Sequence, residues 1–394
     1  HPELHRRGGQ DGVEEEPVSM RIALVCPTPP PYGGITNWSK MLIDYLKGLG
    51  KDELDVINTA PKTRTADGRT LFDRVFGGIG IAVGASRELR KLLSNKNYDV
   101  VHVTTSGGLG LFRDIAVMSV AQKAGVPVAY HIHYGRIPST LNSGNIEANL
   151  LKAALKRCSI AVAIDRTTEA AIRKTQLCDV VCIGNPVNIG ELESLRVGEA
   201  SKDSKTVVYL GWLIETKGIR ELVEAWTSIS EEMPEWRLEL IGPYNPNSIA
   251  SLVGGKSDGS VTLLGELPHS EAMKRLQKAS ILVLPSYSEG FPNVVLEAMA
   301  YGKPVLATNV GALPDILSDG RGVLVEPRSS EQVTQGLKRL MADGDLRVSM
   351  GTRSAEYVKN NFAIEAVAGQ YRELWMRLAL ERHRCSEDVN GSAS

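Results

Sequence analysis

Four short segments hold residues whose types and spacing could do chemistry. The densest runs Pro285-Ser286-Tyr287-Ser288-Glu289-Gly290-Phe291-Pro292-Asn293-Val294-Val295-Leu296-Glu297-Ala298-Met299. Pro292 suits the first turn of a helix, and Gly302 and Pro304 suit its end. Glu289 then lies in the loop ahead of that helix, with Glu297 inside it. One carboxylate and a row of free helix N–H groups face the same way, with a second carboxylate further along. Carboxylates accept hydrogen bonds from vicinal hydroxyls, and helix N–H groups donate to phosphate oxygens. A ligand with sugar hydroxyls, a diphosphate and a ribose fits that arrangement. An ordinary helix with one surface glutamate is the alternative.

The other three segments are weaker alone. Tyr209-Leu210-Gly211-Trp212-Leu213-Ile214-Glu215-Thr216-Lys217-Gly218 puts the Lys217 ammonium just ahead of a helix, where it could meet a diphosphate or simply be solvated. Pro27 to Ile35 carries Gly33 and Gly34 into a helix start, which is either a phosphate site or a tight turn. It lacks the glycine spacing of a dinucleotide site and the Gly-Lys-Ser/Thr of a P-loop. Tyr130-His131-Ile132-His133-Tyr134-Gly135-Arg136 ends a strand, with His131 and His133 on one face. The pair could be structural, could bind metal or could touch substrate. Metal is the poorer reading, because no carboxylate or third histidine is near in sequence. His131, Tyr134 and Arg136 are candidates for acceptor contact.

These loops need elements to position them. Short apolar runs recur at 22–26, 55–59, 100–103, 126–132, 160–164 and 180–183, then at 207–210, 238–241, 261–264, 281–284, 305–308 and 323–325. Helix-length amphipathic segments separate them. Continuous apolar strands indicate parallel sheets covered on both faces. Twelve strands divide into two doubly wound, Rossmann-like α/β domains facing a cleft, which binds ligands beyond the carboxyl ends of the strands. The expected boundaries are a tail or remnant at 1–19, with Met20 as the native start, an acceptor domain at 20–190 and a nucleotide-sugar domain at 191–363. A last helix at 364–382 and a polar tail at 383–394 follow.

The chain resembles family 4 of the retaining glycosyltransferases, of GT-B architecture, over essentially its whole length from Met20. The most specific part is Glu289–Met299, which is similar to the family's E-x7-E motif. The resemblance implies that Glu289 binds donor-sugar hydroxyls and Glu297 the ribose. It implies that the backbone of Gly290, Phe291, Pro292, Asn293 and Val294 lines the sugar and diphosphate pocket. Lys217 resembles the diphosphate lysine, Gly33 and Gly34 the glycine-rich loop, and His133 the reaction-centre histidine. Metal independence is implied too, as are a crossing of the last helix, 364–382, back to the first domain and a nucleotide diphosphate sugar as donor with no other cofactor. One position departs. The family usually has an arginine where this chain has Trp212, and an indole is a neutral donor that cannot neutralise a leaving diphosphate.

Composition sets the remaining bounds. The 394 residues are 42% hydrophobic and 23% charged, as in a globular protein of two domains. No apolar run is long enough to span a bilayer. Five cysteines form no tight metal pattern and read as reduced cytoplasmic thiols. Residues 20–190 carry 21 Lys and Arg against 13 Asp and Glu, a basic half that could meet an anionic acceptor or an anionic membrane surface. Within it, residues 69–76 mix basic and aromatic side chains, a candidate docking segment. Expected partners are therefore a sugar-nucleotide donor and a sugar or lipid-linked acceptor, with no nucleic acid. Cytoplasmic localisation, peripheral on the inner membrane face, is the corresponding expectation. A weakly active sugar-nucleotide-binding partner protein, an epimerase and a phosphorylase are the competing readings.

Overall fold

A computed structural model describes residues 19–30, 33–60, 71–196, 204–246, 249 and 259–391. The segment 69–76, on which the membrane expectation rests, lies outside the residues whose side chains are described, as does the tail at 1–18.

All twelve expected strands form. In the first half they are β1 (Arg21–Cys26), β2 (Glu53–Asn58), β3 (Val100–Thr105), β4 (Val128–Ile132), β5 (Ile160–Ala163) and β6 (Asp179–Cys182). In the second they are β7 (Thr206–Leu210), β8 (Arg237–Ile241), β9 (Val261–Gly265), β10 (Ile281–Leu284), β11 (Val305–Thr308) and β12 (Val323–Val325). Every residue of β3, β4, β5, β10 and β11 is buried; β5 and β10 are unbroken apolar runs, while β3, β4 and β11 also bury His102, His131 and threonines. Each half makes one six-stranded parallel sheet, in the orders β2-β1-β3-β4-β5-β6 and β12-β11-β10-β7-β8-β9. The strand order reverses between β1 and β3 in the first sheet and between β7 and β10 in the second. Ligands of such sheets bind at these reversals.

The second sheet has its own core, with Trp226 and Trp236 among the residues under its helices. The first sheet is covered differently on its two faces. One face packs on its own helices. The other is closed by the helix Gly34–Leu49 together with the last helix, Ile364–Gly391, which arrives after the second half is complete. Val367, Tyr371, Leu374, Trp375 and Leu378 of that helix bury against Ile22, Leu24, Trp38 and Leu42. Full burial of an aliphatic side chain such as Val367 contributes about 1.5–3 kcal/mol. Arg372 fixes the helix further, its Nε donating to the buried Asp52 carboxylate at 2.6 Å.

Two strands of chain cross between the halves side by side. Val187 N–H donates to Phe362 O at 2.7 Å, and Ile364 N–H donates to Val187 O at 3.0 Å. A Cβ on Gly184 would come within 2.6 Å of the Phe362 ring and 2.8 Å of the Phe291 ring. Glycine is therefore what lets the two crossings and the Phe291 loop share this space.

Candidate active site

The site begins at the β7/β10 reversal. The chain after β7 makes a 3-10 turn at Glu215–Lys217, then Gly218 takes a left-handed conformation with φ 70° before the helix Ile219–Glu232. A Cβ there would lie 2.0 Å from Pro285 O, so only glycine lets this loop rest on the end of β10. Tyr287 N–H donates to Thr216 O at 3.0 Å and zips the two loops together. The result brings Lys217 Nζ to 2.6 Å from Glu289 Oε1, across 72 residues of sequence.

The Glu289–Gly290 loop is held from behind as well. Gly311, at φ 57°, sits where a Cβ would meet Glu289 O at 2.2 Å, and Ala312 N–H donates to Gly290 O at 3.0 Å. The helix Asn293–Ala300 follows with no side-chain cap; Val295 N–H donates to Pro292 O at 3.1 Å, which leaves the N–H groups of Asn293 and Val294 open to an anion. Pro292 is its cap residue, with ψ 109°, and stands just outside the first turn where the sequence had suggested it would be inside. Phe291 turns its ring onto Phe362, and Asn293 Oδ1 accepts from Asn185 Nδ2 of the crossing at 3.2 Å. Val294 packs partly buried on the second core.

Glu297 lies one to two helical turns on and is paired. His269, at the start of the helix His269–Lys278, places Nε2 3.0 Å from Glu297 Oε1. That hydrogen bond, ahead of the opposing effect of burial, raises the imidazole above its ordinary range. His269 is a site residue that sequence reasoning missed. Its place at a helix start just after β9 is the signal that could have found it.

The first half meets this loop at a glycine. A Cβ on Gly135 would lie 3.0 Å from Gly290 Cα and 3.1 Å from Glu289 O. The loop after β4 therefore touches the loop after β10, backbone to backbone. His133 stands two residues before that contact. It is half-buried, and its Nε2 finds no partner among the described residues. Burial first, then His102, lowers its pKa to about 3, so the ring is neutral at physiological pH. On the other side, Gly33 is the extended cap of the helix Gly34–Leu49, which also lacks a side-chain cap.

The structure corrects the acceptor-contact set. His131 is wholly buried beneath the last helix, among Trp38, His102, His133 and Tyr371. Tyr134 is buried as well. Its ring covers Gly107, and its hydroxyl has no partner among the described residues. Neither residue presents a polar atom to solvent, and of the three only Arg136 is exposed. Trp212 is 61% exposed and so fills no core. Its loop is fixed by Tyr209, whose hydroxyl donates to Trp212 O at 2.9 Å.

Two doubly wound halves, with a lysine–carboxylate pair at a strand-order reversal and an open helix N-terminus beside it, define a GT-B architecture. Residues 32–191 match the profile of Glycosyltransferase Family 4, and residues 192–357 match that of Glycosyl transferases group 1. The chain belongs to this family of nucleotide-sugar-dependent glycosyltransferases. Among curated relatives, the Bacillus subtilis glycosyltransferase TuaC, named for teichuronic acid biosynthesis, is 24% identical over 83% of this chain and 82% of its own. A D-inositol 3-phosphate glycosyltransferase of Corynebacterium aurimucosum is 31% identical over 44% of this chain and 43% of its own. Among solved structures, sucrose-phosphate synthase of Thermosynechococcus elongatus superposes with a TM-score of 0.71 at 21% identity, covering 91% of this chain and 99% of that one. Anabaena HepE in complex with UDP-glucose gives 0.65 at 16% identity, covering 91% and 100%.

Proposed function

We propose that this chain is a retaining, metal-independent glycosyltransferase. It moves a sugar from a UDP- or GDP-type donor to a glycan, lipid-linked or small-molecule acceptor in surface polysaccharide or glycoconjugate synthesis. The observation that carries the reading is the meeting of Lys217 and Glu289 beside the uncapped helix at Asn293, against Gly135 of the other half. The second half would hold the donor. Glu289 accepts hydrogen bonds from the sugar hydroxyls and Glu297 from the ribose, while Lys217 turns from Glu289 to the diphosphate. HepE, whose solved complexes contain UDP, glucose and UDP-glucose, favours a uridine donor.

In the transfer step the anomeric carbon–oxygen bond breaks and its electron pair goes to the leaving diphosphate. Lys217 and the helix N-termini near Gly34 and Asn293 stabilise that charge without a metal. The acceptor hydroxyl attacks from the departing face, and its proton passes to the leaving phosphate. His133, neutral and at the junction of the halves, orients the reacting groups. Glu289 is not a covalent nucleophile, because paired-carboxylate chemistry requires both carboxyls to flank one bond.

The first half, with Arg136 exposed beside the junction, would hold the acceptor. Its basic surface would rest on anionic lipid at the cytoplasmic face, a contact that salt-sensitive flotation with anionic but not neutral vesicles tests. Among the described residues no helix is long and apolar enough to cross a membrane. Trp212, exposed where the family has an arginine, favours one second reading, a sugar-nucleotide-binding partner with little turnover of its own.

A thermal-shift screen of nucleotide sugars identifies the donor, because a ligand raises apparent stability by mass action. NMR of the product's anomeric proton, with EDTA present, then tests retention and metal independence together. An inverted product or full loss of activity in EDTA would overturn the corresponding part. Donor binding without transfer to any acceptor would leave the partner-protein reading.

A further inference from the structure

Beneath the last helix lies a chain of ring contacts that none of the roles above uses. Trp375 Nε1 donates to His102 Nδ1 at 3.0 Å. His102 Nε2 lies 3.3 Å from His131 Nδ1. The His131 ring in turn lies on His133, with centroids 3.9 Å apart and planes tilted by 39°. Trp38 packs edge-on against both His131 and His133, at 4.8 and 4.9 Å. The Tyr371 hydroxyl is 3.4 Å from both nitrogens of His131, which places it over that ring. Trp375, Tyr371, His102 and His131 are all fully buried.

The polarity of this chain follows from elementary chemistry. An indole N–H can only donate, so His102 Nδ1 must accept. A wholly buried imidazole with no carboxylate beside it is neutral, so the one proton of His102 sits on Nε2. That proton points at His131 Nδ1, which must therefore be bare, leaving the proton of His131 on Nε2. A single donor on the last helix thus dictates the tautomers of two histidines in the first sheet. The second of these is the surface on which His133 rests.

We propose that Trp375 is a positioning residue for the transfer reaction: through His102 and His131 it sets the orientation of the His133 ring at the junction of the two halves. This rests on the reading that His133 lies at the reaction centre. The last helix then does more than cover a sheet. It couples its own docking on the first sheet to the geometry of the site.

Nitrogen-detected NMR of the full-length protein tests the chain without reference to activity. In the wild type, His102 and His131 are both expected as Nε2–H tautomers. Trp375→Phe keeps an aromatic ring and removes the donor. It is expected to mix the His102 tautomers and to shift and broaden the His133 ring signals. With the donor identified, kcat is expected to fall about tenfold, the loss typical of one buried hydrogen bond, with donor KM unchanged. A His102 Nδ1–H tautomer in the wild type overturns the proposal, and that measurement needs no variant to fold. So does a folded Trp375→Phe protein with unaltered His133 signals, whatever its activity. His133→Ala separates the two ideas. If it transfers sugar at the wild-type rate while the tautomers are as expected, the reaction-centre reading has failed and the positioning role with it. If the tautomers are wrong while His133→Ala is inactive, only the chain has failed.

Discussion

The two halves build their candidate site residues in opposite ways. In the second half each ionisable group has a partner of opposite charge within reach of solvent, Lys217 with Glu289 and His269 with Glu297. In the first half His102 and His131 are fully buried and have neutral partners only, two tryptophans, a tyrosine, His133 and each other. The first arrangement suits a ligand that is itself charged, since a diphosphate can take over a lysine already held in place. The second gives rigidity and a fixed proton position, which suits orienting an uncharged hydroxyl. Histidine in this chain is therefore not one kind of group. His269 is raised by a carboxylate, while His102 is lowered by burial to about 3.

The largest expected effect is that of acid on the first half. A base whose pKa is depressed on folding contributes stability that is intact above its unfolded pKa near 6.5 and is lost as pH falls toward the folded value. For His102 that window runs from about 6.5 down to about 3. Each such histidine should remove about 1.4 kcal/mol per pH unit inside it. His102→Gln, if folded, should flatten the acid limb of a urea-denaturation series by one proton. An unchanged slope would mean that the cluster is wet.

Next come the carboxylates. Glu289→Gln should cut transfer about ten- to a hundredfold with little change in thermal stability, because it removes a charge-assisted acceptor. Wild-type kinetics in that variant would break the assignment of the second half as the charged one. Glu297→Gln should chiefly weaken donor binding, roughly tenfold, seen in KM and not in kcat. His269→Ala should do the same to a smaller degree. If it alters kcat alone, the His269–Glu297 pair is not holding a binding group. The smallest effect is that of Trp212→Arg. Since the indole is mostly exposed, the guanidinium should reach a diphosphate and tighten nucleoside diphosphate binding about two- to fivefold. Weaker binding by a folded variant would mean that Trp212 itself stacks on a ligand.

Much of this was legible in the sequence. Strands covered on both faces, such as β5 and β10, could be read because they are continuous apolar runs, and the loops after the strands were where chemistry had to be sought. The approach of Lys217 to Glu289 was not legible, since it depends on β10 lying beside β7, which no local pattern encodes. Gly218 and Gly311 carry that approach, yet a glycine in sequence does not say which backbone it must clear. The misplacement of His131 has a similar cause. Its strand-end position suggested the cleft, but its cover, Tyr371, arrives 240 residues later. His269 was passed over because its partner, Glu297, is on a different helix.

The proposed function requires Lys217 and Glu289 to exchange each other for the diphosphate and sugar of a nucleotide donor. Calorimetric titration of nucleoside diphosphates into the wild type and Lys217→Ala tests it most directly. One site per chain is expected in the wild type and at least about tenfold weaker binding in the variant, with a smaller salt dependence because one cation is gone. Equal affinity and equal salt dependence in the two proteins would contradict it.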